Sequence, residues 1–292
     1  MARPNKFQIM NLFKSDISKI LQGTKYKIFS EGHLADILEE NRDDWKLPSS
    51  ASVEDLIYFL LNVKIIELIE LNFPTNIIKR YVFFGNEPSI YELACSLHEK
   101  AYISHYTAAF YHGLTDNIVK AVYVNQEQSL KKENEWKPTQ EAVDNAFSKP
   151  MRSTNRKTIY KGQKIHWING KNTGQLGVLE EDGIRVTNIE RTLIDLAVRP
   201  EYGGGVHEIL AMYENAKDHV SVNKMYSYLK KLKYTYPYHQ SVGFYLEKAG
   251  YKESSLRLLE RFPIELNFYL DYELTDKSFS ERWKLYYPAY LS

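Results

Sequence analysis

Three carboxylates near the end of the chain are the residues whose type could perform hydrolytic chemistry. Glu260, Glu265 and Asp271 lie near strand-like residues, and carboxylates of this kind hold the metal ion in metal-dependent nucleases. No lysine accompanies them in a persuasive arrangement, and carboxylates near chain ends are common. A metal-dependent, nuclease-like enzyme therefore stays an alternative, and the main expectation is a protein without catalytic residues.

Histidine, glycine and cysteine offer other chemistry, but their spacing does not favour it. None of the eight histidines falls in a His-Glu-x-x-His pattern or beside a cysteine pair, as zinc sites require. His105 and His112 lie on one predicted helix face and are more typical of structural residues. Residues 203–205 are all glycine without a phosphate-loop context, and Cys95 has no disulfide partner in the chain. We expect no metal, no cofactor and a reducing, cytoplasmic location.

A basic segment, residues 149–175, could bind a polyanion. It contains seven cations and no Asp or Glu, whereas the whole chain has a net charge of only +1. It is therefore where a strong positive potential is expected. The residues predicted to touch DNA or RNA are Arg152, Arg156, Lys157, Lys161 and Lys164. The alternative is a solvated face with no partner. A second cluster, Lys224 with Lys230, Lys231 and Lys233, falls on a predicted helix.

The segment after residue 184 predicts a strand that runs into a closely specified helix. Thr187 and Glu190 have the Thr-x-x-Glu spacing of a capping box. Arg191 and Asp195 are four residues apart and can pair along the helix, which stabilises an exposed helix by a few tenths of a kcal/mol. We expect this structural role rather than a bridge to another element or partner. Gly204 is expected near the start of the next helix.

The elements before residue 95 have the order of a DNA-binding module. Helical spacing predicts a helix over 7–21, a second begun by Ser30, and a third begun by Ser52. Two strand-like runs, 65–71 and 77–84, flank a turn and predict a hairpin. Three helices followed by a hairpin is the order of a winged helix-turn-helix. The alternative is a small helix-plus-hairpin subdomain with no role at DNA.

The rest of the chain predicts a larger, mainly helical domain. Ser104 is expected to cap a helix that Gly113 ends, strands follow near 159–168 and 176–186, and helices fill most of 188–261. A chain of 292 residues exceeds the size of most single cores. We therefore expect an α+β protein with domains at 1–95 and 96–292. No apolar stretch is long enough to span a membrane.

Two long segments resemble a known family. Residues 184–205 contain Arg-Thr-Leu-Ile-Asp-Leu, then Arg199-Pro200 and the glycine run. Residues 101–116, with the strand that follows them, carry a second likeness, and the ending 244–285 is similar too. Together with the helix and hairpin order, these features resemble the AbiEi antitoxins of type IV toxin-antitoxin systems. The likeness covers most of the chain.

The resemblance implies a bifunctional abortive-infection protein of the kind used in phage defence. Such an antitoxin counteracts a nucleotidyltransferase toxin of the AbiEii type, with or without a direct contact. It also represses its own operon by binding promoter repeats, as a monomer or as a pair bound cooperatively. The resemblance therefore implies an N-terminal winged-helix domain and a C-terminal antitoxin domain.

One departure from that pattern concerns charge. The predicted recognition helix carries Glu54 and Asp55 near its start, and residues 1–100 hold 12 Lys and Arg against 14 Asp and Glu. Acidic groups repel phosphate. A DNA contact is therefore expected to use Tyr58 and Asn62 together with local cations, namely Lys25, Lys27, Lys46, Lys79 and Arg80. An antitoxin that only binds a protein partner, without DNA, is the other alternative.

Overall fold

The chain folds as a mixed α+β protein with two compact units. The computed structural model describes residues 4–118, 120–130 and 137–292. The first unit is Met1–Glu99 with Thr158–Gly162, and the second is Lys100–Lys157 with Gln163–Ser292. The α+β class predicted from the sequence is confirmed. The sequence-based boundary at 95/96 stays a prediction.

The first unit packs helices against a small sheet. Met10, Leu34, Trp45 and Leu56 are almost completely buried in its core. The elements within residues 4–99 are α1 (Lys6–Leu12), α2 (Lys14–Gly23), β1 (Ile28–Phe29), α3 (Glu31–Asn41), α4 (Val53–Asn62), β2 (Ile66–Asn72), β3 (Ile77–Phe83) and α5 (Ile90–Cys95). The single helix predicted over 7–21 is two helices. Phe13 ends α1 and begins α2, and this break lets α1 contact both α2 and α4.

Serine caps start two of these helices, as the sequence predicts. The Ser30 hydroxyl accepts a hydrogen bond from the His33 N–H at 3.1 Å. At α4, the Ser52 hydroxyl accepts from the Asp55 N–H, and the Asp55 carboxylate accepts from the Ser52 N–H at 2.9 Å. Because each cap satisfies backbone groups that the first turn leaves unpaired, it fixes where the helix begins.

The predicted hairpin is also present. β2 and β3 pair antiparallel from Ile66 opposite Phe83 to Asn72 opposite Ile77, and the Phe73 N–H closes the turn on the Asn76 carbonyl at 2.9 Å. β1 adds to the outer side of β3, so the sheet order is β1-β3-β2. The hairpin follows α4 directly, with only residues 63–65 between them.

A mixed sheet lies at the centre of the second unit. Its strands are β4 (Tyr102–Ile103), β5 (Ala121–Glu127), β7 (Gln163–Gly170), β8 (Val178–Glu181) and β9 (Ile184–Thr187), in the order β7-β5-β4-β9-β8. The strand β6 (Lys157–Tyr160) falls mostly within the first unit. β5 runs parallel to β7, and β4 runs parallel to β9. Neighbouring strands at the centre of the sheet therefore come from parts of the sequence that are far apart.

The helices of the second unit pack largely on one another, and α6 packs on β5 of the sheet. A second, small sheet follows them. The helices are α6 (His105–Tyr111), α7 (Gln140–Phe147), α8 (Ile189–Val198), α9 (Val206–Asn215), α10 (Val222–Leu232), α11 (Tyr238–Lys248) and α12 (Glu253–Leu259). The last sheet comprises β10 (Phe268–Tyr269), β11 (Lys277–Ser280) and β12 (Leu285–Pro288), in the order β10-β12-β11. The sequence did not predict this sheet, because strands of two to four residues carry little hydrophobic alternation.

α8 is the most enclosed helix of the second unit. All eight of its residues from Glu190 to Ala197 are buried, and it contacts α6, α9, α10 and α11. No helix among the described residues is long and apolar enough to cross a membrane.

Helix α11 approaches Trp283 closely at a glycine. A Cβ added at Gly243 would overlap the fully buried Trp283 ring, coming within 2.6 Å of its Cε3 atom. The indole N–H of Trp283 donates to the Glu247 carboxylate at 2.8 Å, so two positions one turn apart on the same face of α11 contact the ring. A larger residue at position 243 cannot be accommodated without displacing the ring.

We expect Gly243→Ala to lower the free energy of unfolding by about 1–3 kcal/mol, because overpacking outweighs the helix propensity gained by alanine. Chemical denaturation followed by tryptophan fluorescence measures this change. Gly32→Ala in α3 is the matched control, since its added Cβ meets only the Ser30 hydroxyl at 3.6 Å, and it should not destabilise. An unchanged midpoint for Gly243→Ala would show that the ring can move aside.

Candidate functional site

A buried ion pair lies within residues 184–205, the first of the two segments described above as resembling a known family. The Arg191 Nε donates to the Asp195 carboxylate at 2.8 Å, and the two side chains are only 5% and 7% exposed. The predicted pairing along the helix is therefore confirmed. The few tenths of a kcal/mol expected for an exposed pair do not apply, because both side chains are buried. Burial raises the pKa of Asp195, and the adjacent guanidinium opposes that rise. A buried pair of this kind contributes stability only while both partners are present.

The Arg191 guanidinium also binds outside its own helix. Its Nη1 donates to the Thr173 hydroxyl at 3.1 Å and to the Leu176 carbonyl at 2.8 Å. The pair is therefore not confined to the helix, contrary to the expectation from its spacing. These donors join α8 to the loop between β7 and β8, which local spacing cannot reveal.

Glu127, at the end of β5, holds the same loop from the other side. Its carboxylate accepts from the Thr173 hydroxyl, from the Thr173 N–H at 2.9 Å and from the Gln175 N–H at 3.2 Å. The Tyr102 hydroxyl donates to it at 3.1 Å, and the Asn125 amide donates to that hydroxyl at 2.5 Å. We call Arg191, Asp195, Thr173, Glu127 and Tyr102 the arginine network. Glu127, Thr173 and Tyr102 carry no sequence motif that would mark them as members of this network.

The predicted capping box at α8 is wrong by one residue. Asn188, not Thr187, is the N-cap, and its side chain accepts from the Arg191 N–H at 3.0 Å. Thr187 is still in β9, where it pairs with Val178, so its hydroxyl bonds to the Thr192 hydroxyl at 2.8 Å instead. Glu190 binds the Ser221 N–H and the Lys224 ammonium rather than its own helix cap.

Of three other predicted structural residues, Ser104 has a changed role, whereas Gly113 ends its helix and Gly204 precedes the next one as predicted. Ser104 is the N-cap of α6, but its hydroxyl bonds to the His105 ring at 2.8 Å and makes no cap. Gly113 follows the end of α6 with a φ of +67° and so provides the left-handed turn that ends the helix. Gly204 ends a short 3-10 helix, and Gly205 is the N-cap of α9.

The two histidines of the predicted α6 face have separate structural partners. His105 is buried, and burial lowers its pKa. His112 bonds to the Thr187 carbonyl at 2.6 Å. They do not form a site together.

The exposed face of α4 carries the residues proposed to read DNA. Glu54, Tyr58 and Asn62 recur every four residues and are all exposed, and Tyr58 is 61% exposed. The Asp55 carboxylate, by contrast, binds the Lys6 ammonium at 2.5 Å. One of the two acidic groups that would repel phosphate is therefore paired with a cation.

The cations predicted near this face differ in their surroundings. Lys25, Lys46 and Lys79 are exposed. Lys27 binds Glu92 at 2.9 Å. Arg80 donates to the Ser96 and Leu97 carbonyls at 2.7 to 3.0 Å, and burial lowers its pKa. The structure does not favour Arg80 as a DNA contact, because its guanidinium already donates hydrogen bonds to the backbone of the turn after α5.

The basic segment contains both engaged and exposed cations. The Arg156 guanidinium lies 3.3 Å from the centre of the Trp167 ring, and Lys161 forms an ion pair with Glu87. Lys171 donates to the Leu232 and Lys233 carbonyls at 2.8 Å. The predicted polyanion contacts Arg152, Lys157 and Lys164 are exposed, and Lys161 is exposed as well despite its ion pair.

The three C-terminal carboxylates are not brought together. Glu260 binds Arg282 at 2.7 Å, Glu265 lines a surface pocket, and the Asp271 carboxylate accepts from the Tyr272 N–H at 2.8 Å. Over 4–118, 120–130 and 137–292, no group of three or more His, Cys, Asp or Glu is placed to hold a metal ion.

Comparisons with known proteins identify a similar fold but no family. No protein-family model matches the sequence, and no curated protein matches it. The fold is similar to that of the RV2827C protein from Mycobacterium tuberculosis, with a TM-score of 0.57 over 95% of this chain and 91% of that chain. The two sequences are 10% identical, so the similarity concerns the fold alone.

We expect Arg191→Ala to lower the free energy of unfolding by about 3–5 kcal/mol, because it leaves the buried Asp195 carboxylate without its partner. The double variant Arg191→Met with Asp195→Leu should cost much less, since it removes both charges. Urea denaturation of the purified chain measures both.

The matched control is Arg257→Ala, which breaks a pair of the same spacing between residues that are 75% and 55% exposed. It should change stability by about 0.5 kcal/mol or less. If Arg191→Ala and Arg257→Ala had equal effects, the network would not support the fold.

Proposed function

We propose that the chain is an AbiEi-type antitoxin that represses its own operon at promoter DNA and counteracts a nucleotidyltransferase toxin. The observation that carries the DNA part is the exposed polar face of α4, followed at once by the β2–β3 hairpin. In a winged helix, the last helix before the hairpin enters the major groove, and the hairpin lies along the backbone. The order β1-β3-β2 with α3 and α4 supports that reading.

The chemistry of the α4 face fits base recognition better than phosphate binding. An asparagine side chain can accept from and donate to adenine in the major groove, and tyrosine can bond to phosphate or to a base edge. Asn62 and Tyr58 lie one turn apart on this face, a spacing that suits contacts with one groove. Pairing of Asp55 with Lys6 reduces the repulsion that the acidic start of the helix would otherwise cause.

The antitoxin part rests on the two sequence segments that carry the family resemblance. They contact each other: Ile103 of β4 pairs with Val186 of β9, α6 packs on α8, and His112 bonds to the Thr187 carbonyl. Segments about 80 residues apart thus form one structural centre. This convergence supports treating the resemblance as a single shared core.

We expect Tyr58→Ala and Asn62→Ala each to weaken binding to the upstream intergenic DNA by about 1–3 kcal/mol, because each removes a base or backbone contact. A gel shift at fixed salt measures the affinity. Tyr290→Ala is the matched control, since Tyr290 is 68% exposed in the second unit and should leave affinity unchanged. If the parent chain does not shift this DNA, the protein is an antitoxin without DNA binding or has another function.

The exposed cations of the basic segment make a separate prediction. Burial and, to a smaller extent, the nearby positive charges of Lys157 and Lys164 lower the pKa of His166 to about 4. The two lysines therefore create a local positive potential. Their joint replacement by alanine should lower the slope of log affinity against log salt by about 0.9 for each phosphate that the protein no longer neutralises. Lys217→Ala with Lys252→Ala is the control pair, since both lysines are exposed elsewhere. An unchanged slope and unchanged rescue of cells from the toxin would make Lys157 and Lys164 ordinary surface residues.

A further inference from the structure

A surface pocket of about 600 Å³ lies in the second unit. Three separate stretches contribute to its lining. They are residues 137–138, residues 229–230 and 233–239 at the end of α10 and the start of α11, and residues 262–263 and 265–266 after α12. Its volume is within the range of small-molecule sites. The proposed function assigns it no role.

Aromatic side chains form much of its wall. Tyr234, Tyr236, Tyr238, His239 and Phe262 all line the pocket. His239 and Phe262 stack with their ring centres 4.9 Å apart, and Tyr234 meets Tyr238 edge to face at 5.3 Å. Rings packed against one another lose little further freedom on binding, and they favour a flat, unsaturated ligand.

The charges around the pocket favour an anion. Among the described residues, the charged side chains that line it are Lys137, Lys230, Lys233 and one acid, Glu265. Lysine is a common ligand of phosphate. Lys230 lies on the exposed side of α10, 5.6 Å from the centre of the Tyr226 ring. A ligand that combines a planar ring with a phosphate would therefore match both parts of the lining.

His239 contributes a hydrogen-bonding group rather than a charge. Burial lowers the pKa of His239 to about 4, and its Nε2 bonds to the Pro263 carbonyl at 3.0 Å. Because a carbonyl can only accept, Nε2 carries the proton, and Nδ1 of the neutral ring is an acceptor. An exocyclic amino group of a base or a sugar hydroxyl can donate to such a nitrogen.

The backbone beside the pocket is fixed by the second unit's own interactions. Lys171 donates to the last carbonyls of α10, where a cation is favourable at a helix C-terminus. Lys233 then adopts a φ of +43°, which ends the helix and turns the chain toward Tyr234. The Lys171 ammonium also lies 5.8 Å from the centre of the Tyr234 ring, so the same lysine supports the end of α10 and this wall of the pocket.

We propose that this pocket binds a nucleotide, with the base among the aromatic rings and the phosphate at the lysines. Two sources share this chemistry: a free mononucleotide, and the terminal nucleotide of a single-stranded RNA. Neither source requires that the chain bind promoter DNA. The site can therefore be tested independently of the proposed function.

Binding is measured by isothermal titration calorimetry on the full chain, with AMP, GMP, CMP and UMP as one arm and a single-stranded RNA hexamer as the other. Inorganic phosphate is titrated separately. Mononucleotide binding as tight as hexamer binding identifies a free nucleotide, whereas binding of the hexamer alone identifies a strand end. Both outcomes support the proposal. Phosphate that binds as tightly as every nucleotide would overturn it, because the rings would then play no part.

Two matched variants test the lining. Lys230→Glu should weaken nucleotide binding about tenfold or more, whereas Lys231→Glu, on the neighbouring exposed residue of α10 that does not line the pocket, should weaken it far less. Phe262→Ala should weaken it about 5-fold to 100-fold because it removes a stacking surface, with folding checked by the denaturation midpoint. Equal effects of Lys230→Glu and Lys231→Glu, or no binding of any nucleotide or RNA at millimolar concentration, would refute the site.

Discussion

The buried pair of Arg191 and Asp195 is the interaction on which the second unit depends. Moving two charges out of water costs several kcal/mol for each ion, and only close pairing with further hydrogen bonds offsets that cost. Arg191 obtains those bonds from Thr173 and from the Leu176 carbonyl. The pair can therefore be buried only if the loop between β7 and β8 lies where the structure places it. In this way one helical ion pair specifies the position of a distant loop.

That requirement extends through Glu127 to the central sheet. Glu127 ends β5 and accepts bonds from the same loop and from Tyr102. Because Tyr102 is in β4 and β4 pairs with both β5 and β9, the strands and α8 are joined by polar contacts as well as by apolar packing. A half-satisfied buried network is worse than an apolar core, so removing a single member is expected to disturb several elements.

The sequence predicted the local features of this arrangement and missed the long-range ones. Ser30 and Ser52 were identifiable because a cap depends on residues within three positions. The cap of α8 was misplaced because Thr-x-x-Glu also fits the pattern, and only the pairing of Thr187 with Val178 keeps Thr187 in the strand. The burial of Arg191 and the roles of Thr173 and Glu127 depend on tertiary neighbours. The pocket is lined by three separate segments, and none of these segments alone has a sequence pattern that predicts a pocket.

The contacts of the lysines and arginines bear on how strongly a near-neutral chain would bind DNA under the proposed function. Sequence counting treats every lysine and arginine as available, yet Arg80 and Lys171 bind backbone carbonyls and Arg156 stacks on Trp167. The first unit does expose lysines, among them Lys25, Lys46 and Lys79, but residues 1–100 hold 12 Lys and Arg against 14 Asp and Glu, so its net electrostatic attraction to phosphate would be small. Under the proposed function, one copy would then bind a single site weakly, with specificity from base contacts by α4. Adjacent promoter repeats would raise the occupancy if two copies bound cooperatively, which favours the cooperative pair over the lone monomer as the repressing species.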